Sequence, residues 1–268
     1  MADLGTYENI VVTLEGHVAC VELNRPPHNF LDHLLVRDLA DAFEQLDKTV
    51  QCRAIVLAAA GKSFCAGGSF ANPKAEAETA PPAVQSQAPG SNPTYIEAVR
   101  LFRCGKPVVA AVHGPAVGAG LGLTMVADFR VACSEARFVA NFTKLGFHPG
   151  FGLTVTLPEA IGKTNANFMF MTSRRFKGEE AKELGLVDVL VSQDQVRAAA
   201  FELAEEIAQC SPIGTWETRK TMRGGLADRV KTATDHELTV QAMLRQTQDY
   251  REGVDAVKAR RTPVFTGL

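Results

Sequence analysis

Lys62-Ser63-Phe64-Cys65-Ala66-Gly67-Gly68-Ser69-Phe70 and His113-Gly114-Pro115-Ala116-Val117-Gly118-Ala119-Gly120-Leu121-Gly122 are the stretches on which the reading of this chain turns. Each follows an apolar run with the length and β-branched content of a buried strand. These runs are Ala54-Ile55-Val56-Leu57-Ala58 and Pro107-Val108-Val109-Ala110-Ala111-Val112. Each then turns through small residues whose side chains cannot cover the backbone. Such loops offer bare N–H groups to a ligand, and two that converge can hold one oxygen atom as it gains negative charge. An oxyanion hole is the leading chemical reading.

Outward from these loops the pattern alternates between strand and helix. Ile10–Leu14 and Val18–Leu23 flank Glu15-Gly16-His17 and read as a hairpin. Pro26 and Pro27 delay any helix to about Leu31, after which Leu31, Leu34, Leu35, Leu39, Ala42, Phe43 and Leu46 recur at helical spacing. Residues 71 to 93, dominated by Ala, Pro, Ser, Gln and Glu, read as a mobile surface loop. Helices are predicted at Thr94–Cys104, Leu121–Ala127, from Pro158-Glu159-Ala160-Ile161-Gly162 through Thr172, and at Glu179–Leu184. Strands are predicted at Phe129–Cys133 and Val187–Val191. Beyond Gln193 the pattern is helical. The fold class is therefore α/β, with a core over 1–200 and a C-terminal helical region over 201–268.

The 268 residues are enough to bury a sizeable core, and 46% hydrophobic with 22% charged is ordinary for a globular chain. A formal net charge of -2 gives no electrostatic case for nucleic acid or an anionic membrane as partner. The six cysteines form no C-x-x-C pair, which argues against zinc, and several lie in apolar runs. They read as reduced thiols in a cytoplasmic setting. No signal peptide, and no apolar run of about 18 residues that would span a membrane, is visible.

Asn24-Arg25-Pro26, Gly61 through Gly67, Lys106 through Gly114 and Glu180-Ala181 with Gly185-Leu186-Val187 together resemble the enoyl-CoA hydratase/isomerase family, the crotonase superfamily. The tail from Arg251-Glu252-Gly253-Val254 through Arg260-Arg261-Thr262-Pro263-Val264-Phe265 is similar to that family's closing motif. The match runs in order along essentially the whole chain. It implies a crotonase fold of repeated ββα units forming a spiral core, with a C-terminal helical trimerisation region and assembly as a homotrimer or hexamer. It also implies an acyl-CoA substrate, with no cofactor beyond that substrate's coenzyme A moiety. The oxyanion donors it implies are the N–H groups of Gly68 and Ala119. Ala66, Ser69 and Phe70 are the implied cofactor-binding residues of the first loop, and Arg25, Lys62, Arg260 and Arg261 are candidates to meet coenzyme A phosphates.

The chain departs from the family where proton transfer is concerned. The two glutamates of a hydratase match Gly122 and Phe142, and the isomerase glutamate matches about Gly150. None of these can transfer a proton. The loop Phe138–Gly152 contains no acid; its one titratable group suited to neutral pH is His148, an acid/base candidate or else a ring that packs the loop. His28, Asp32 and His33, near the Asn24-Arg25-Pro26 turn, are further candidates against surface or capping roles. His113 and Asp128 read as turn anchors. Cys65 lacks a histidine–acid partner pattern and reads as packing. Leu123 stands where a dinucleotide-binding G-x-G-x-x-G would need glycine. The resulting expectation is an acyl-CoA lyase or isomerase that stabilises an enolate or oxyanion through backbone N–H groups. The alternatives are a thioester or β-dicarbonyl hydrolase using His148, and a non-catalytic CoA-binding scaffold.

Overall fold

The structure is a computed structural model that describes residues 4–68 and 92–268. Ser69, Phe70 and nearly all of the loop predicted at 71–93 lie outside the described residues. Nine strands form two sheets among the described residues. The larger has the order β1 (Ile10–Glu15), β2 (Val18–Leu23), β3 (Ala54–Ala59), β4 (Val108–Val112), β6 (Phe129–Ala132), β9 (Val189–Leu190). The smaller has the order β5 (Pro115–Val117), β7 (Arg137–Val139), β8 (Arg175–Lys177).

β1 and β2 pair antiparallel as the predicted hairpin; every further pairing in the larger sheet is parallel, with Val21 opposite Leu57, Leu57 opposite Ala110 and Ala110 opposite Arg130. Every residue of β3 and β4 is buried, as continuous apolar strands covered on both faces should be. β1, at the edge, alternates instead.

The helix predicted from Leu31 is α1 (His33–Lys48), held at its start by Asp32, whose carboxylate accepts from the Leu35 N–H at 3.0 Å. It packs against α2 (Pro93–Phe102), which Asn92 caps in the same way. The glycine turn after β5 opens α3 (Ala119–Thr124), earlier than the predicted Leu121. Gly118 makes the difference: with φ 55 and its N–H donated to the Val139 carbonyl at 2.8 Å, it reverses the chain directly into Ala119.

α4 (Leu153–Thr172) also begins ahead of the predicted Pro158, and its path breaks at Gly162, where φ is 76 and ψ is 153. Its first turn is capped from far along the chain. Glu237 accepts from the Gly152 N–H at 2.9 Å, the Thr154 N–H at 3.2 Å and the Thr154 hydroxyl at 2.6 Å. α5 (Gly178–Glu183) ends at Gly185, whose φ of 80 suits a helix stop.

The chain continues through α6 (Val196–Gln209), α7 (Pro212–Arg223), α8 (Leu226–Leu244) and α9 (Gln248–Lys258). α6 packs on β3, β4 and β6, so it covers the core sheet, and residue 200 falls inside this helix. α8 packs on α2 and α4, which carries the helical tail back over the glycine loops' side of the core. No helix among the described residues is long and apolar enough to cross a membrane.

Candidate active site

The two glycine loops meet. Cys65 and Ala116 form a parallel bridge, with the Cys65 N–H donated to the Pro115 carbonyl at 3.1 Å and the Val117 N–H to the Cys65 carbonyl at 3.0 Å. So close an approach needs glycine at the crossing. A Cβ on Gly120 would overlap the Cys65 carbonyl oxygen, and one on Gly67, where φ is 93, would lie 2.7 Å from the Val117 oxygen. The first loop is braced from its other side by Asn29, fully buried. Its side chain donates to the Ala60 carbonyl at 2.7 Å and the Ser63 carbonyl at 2.9 Å, and accepts from the Arg25 N–H at 2.9 Å.

Gly68 and Ala119 therefore line one cavity of about 120 Å³, together with Ala66, Gly67 and Gly118. Neither the Gly68 N–H nor the Ala119 N–H has a hydrogen-bond partner among the described residues. Ala119 is the first residue of α3, where a helix leaves its N–H groups unpaired. The opposite wall is made of side chains: Tyr95 from α2, Phe142 and Phe147 from the loop after β7, Gln241 from α8, Arg245 at that helix's C-cap, and Tyr250 from α9. Arg245 lies over the rings of Phe147, at 5.0 Å, and Tyr250, at 5.9 Å, and is the one charged lining residue among those described.

The cavity excludes the carboxylates sought at the three sequence positions. A Cβ on Gly122 would lie 2.8 Å from Phe151 Cβ and Cδ1; the Phe151 ring, fully buried, fills that space. A Cβ on Gly150 would overlap the Tyr95 hydroxyl. At Phe142 an aromatic ring faces the cavity. What replaces them is an amide–phenol pair: Gln241 Nε2 donates to Tyr95 Oη at 3.0 Å and to the His148 carbonyl at 2.9 Å. Burial pushes the Tyr95 phenol above its ordinary range. Burial also raises the carboxyl of Glu237, one turn from Gln241 on α8, against the hydrogen bonds that favour its charged form.

The other candidates are placed elsewhere. The His148 ring is not among the cavity's lining; its Nδ1 lies 2.7 Å from the Pro149 carbonyl and its edge meets His236. Arg25 pairs with Asp32 at 2.6 Å and with Asn9 Oδ1 at 2.6 Å. Arg261 grips Glu252 through both Nη atoms, and Arg260 is exposed beside it. His28 meets Ser63 Oγ at 3.1 Å, and His33 is buried with neither ring nitrogen partnered among the described residues. His113 holds the Gly61 carbonyl at 3.0 Å, and Asp128 joins the Val108 N–H to Arg219 and Arg223 of α7. Cys65 is wholly buried, which pushes its thiol to about 12 and leaves it no use as a nucleophile. Tyr95, Gln241, Arg245 and Tyr250 carried no motif, so the sequence pattern passed over them.

Residues 13–267 match the family model for enoyl-CoA hydratase/isomerase. The chain belongs to this family. Among its enoyl-CoA hydratase/isomerase relatives, the chain is 31% identical over 262 residues to 1,2-epoxyphenylacetyl-CoA isomerase of Escherichia coli (strain K12), covering 97% of this chain and 99% of the relative. It is 32% identical over 264 residues to (E)-benzylidenesuccinyl-CoA hydratase of Thauera aromatica, covering 96% and 99%. The crystal structure of an enoyl-CoA hydratase/isomerase from Pseudoalteromonas atlantica T6c superposes with a TM-score of 0.84 at 29% identity, over 97% of this chain and 100% of that one. The crotonase fold with its C-terminal helical region is thereby shown, and with it an enoyl-CoA hydratase/isomerase family that processes acyl-CoA.

Proposed function

We propose that this family member binds an acyl-CoA thioester with its carbonyl oxygen between the Gly68 and Ala119 N–H groups and stabilises the enolate or oxyanion that forms there. One observation carries the reading: two backbone N–H groups without partners among the described residues line the same cavity, whose described lining holds no carboxylate. Two such donors lower the energy of a developing oxyanion, and each is worth about 2.7–4 kcal/mol in comparable sites.

Hydration by a glutamate pair is not part of the proposal. Gly122 and Phe142 bear no carboxylate, and the Phe151 ring closes the space beside Gly122. The reaction assigned is proton movement at an enolate, of the isomerase or lyase kind, with coenzyme A present only as part of the substrate. Support for self-association comes from an apolar groove at α7, lined by Phe129, Ile207 and Met222 among others, and a homotrimer or hexamer is the proposed assembly.

An enoyl-CoA with a conjugated chromophore, such as cinnamoyl-CoA, tests the reading. Binding should shift its absorption to the red, because a carbonyl polarised by two donors draws electron density along the conjugated chain. Crotonyl-CoA should be hydrated negligibly. An unshifted spectrum at saturation, or hydration at the rate of an ordinary hydratase, would sink the proposal.

A further inference from the structure

The cavity holds few groups able to exchange a proton. Its described lining contains no carboxylate, imidazole or thiol. The hydroxyls there belong to Thr94, Tyr95 and Tyr250, and only Tyr95 has its oxygen held by groups fixed elsewhere in the fold. Gln241 Nε2 donates to Tyr95 Oη at 3.0 Å. Gln241 is anchored in turn on the His148 carbonyl at 2.9 Å and the Pro149 carbonyl at 3.3 Å. The Tyr95 ring is clamped edge-on by Phe151, with centroids 6.5 Å apart.

The Gln241 N–H occupies one acceptor position of the phenol oxygen, which leaves that oxygen's own proton to be placed. The resting acceptor is Gln241 Oε1 at 3.2 Å, long for a bond between two oxygens. A ligand atom in the cavity can compete for that proton with little loss. The same Gln241 N–H is a donor that a phenolate would need.

Resting on the proposed oxyanion reading, we infer that Tyr95 is a catalytic acid that delivers its Oη proton to a carbon of the thioester enolate, with Gln241 as its positioning residue. In this step the electron pair of the enolate carbon forms the new C–H bond. The Oη–H bond breaks and leaves its pair on Oη, and the phenolate is reset by taking the C–H proton whose loss generates an enolate, so that no net proton is consumed. The substrates are acyl-CoA thioesters resolved by carbon protonation rather than by addition of water.

Burial holds the Tyr95 proton in place at neutral pH. A thioester α-C–H is a far weaker acid than any phenol, so transfer to the enolate carbon still runs downhill. The charged groups facing Tyr95 are Glu237 on α8 and Arg245 at that helix's C-cap; Glu237 opposes the phenolate and Arg245 favours it. His148 presents its carbonyl to Gln241, while Asp41 and Glu44 of α1 are engaged by Arg100 of α2.

Deuterium exchange at the α-carbon of phenylacetyl-CoA, followed by NMR in D2O between pH 7 and 10, reads the reverse of this step. Wild-type protein should exchange faster with rising pH, as the minor phenolate fraction grows with each pH unit. Tyr95→Phe, which removes one hydroxyl, should slow exchange at least a hundredfold, within the range typical of a positioned acid or base, with phenylacetyl-CoA bound within threefold of wild type. If Tyr95→Phe melts early, Gln241→Leu serves instead, with at least a tenfold slowing and unchanged binding. Exchange by either folded variant within threefold of wild type overturns the assignment. So does wild-type protein that reddens bound cinnamoyl-CoA yet exchanges no faster than free thioester, an outcome that spares the oxyanion reading. Loss of the red shift in wild-type protein would instead mark failure of that reading.

Discussion

The Phe151 ring stands where any side chain at residue 122 would have to go, with its Cβ and Cδ1 each 2.8 Å from the position of a residue-122 Cβ. Phe151 reaches this place from a left-handed backbone, with φ 62, and is wholly buried. The glycine and the phenylalanine are thus two halves of one packing arrangement, and the cavity beside them has been shaped without a carboxylate.

Gly122→Glu should accordingly fail to restore a hydratase. The new side chain overpacks the Phe151 contact, an error that costs about 1–3 kcal/mol in a well-filled core. Urea unfolding should register that loss, Gly122→Ala should show part of it, and neither variant should hydrate crotonyl-CoA.

Ala119→Pro deletes one proposed oxyanion donor while leaving a residue suited to the first position of a helix. The fold should persist by circular dichroism. The cinnamoyl-CoA red shift should shrink, and turnover of any productive thioester should fall by about 2.7–4 kcal/mol of transition-state stabilisation.

Asn29→Ala removes the brace beneath the first glycine loop. The Arg25 N–H and the carbonyls of Ala60 and Ser63 lose their partner, and alanine must take the φ of 50 that asparagine tolerates. A stability loss of about 2 kcal/mol or more is expected. Acyl-CoA affinity should fall with it, because the His28 carbonyl and the Leu31 N–H hold Ala66 and Gly67 in place.

His148→Ala should leave α-proton exchange within threefold of wild type. Gln241 is anchored on the backbone carbonyl of His148, which the substitution keeps, and the ring does not line the cavity. A hundredfold loss with unchanged binding would return His148 to the chemistry.

The closing tail should release in acid. Arg261 and the Val264 N–H hold the Glu252 carboxyl at about 2, below its ordinary 4.5. A carboxylate lowered in the folded state stabilises above its unfolded value and loses that contribution as pH falls. The hydrogen-exchange protection of residues 260–268, taken against the intrinsic rate at each pH, should therefore be greatest above about pH 4.5 and fall toward pH 2. Arg261→Gln should move the onset to higher pH.

The sequence by itself determined the architecture and one wall of the site. Strand identity at Ala54–Ala59 and Val108–Val112 follows from short apolar runs, and the glycine loops follow from residues too small to block a backbone approach. Both signals are local, and the family resemblance that they carry is what names Gly68 and Ala119 before any coordinates. The start of α4 was not local: Glu237 caps it from α8, and no pattern near Leu153 reveals that. The same holds for the second wall. Tyr95 and Gln241 are far apart in the chain and belong to ordinary amphipathic helices; only the packing of α8 on α2 gives them a shared proton. His148 drew notice as the loop's one imidazole, yet a titratable group acts where its ring points, and packing turned this ring toward His236. The proposed backbone donors were legible because they depend on what the chain lacks there. The side-chain chemistry was decided by which distant helices meet over them.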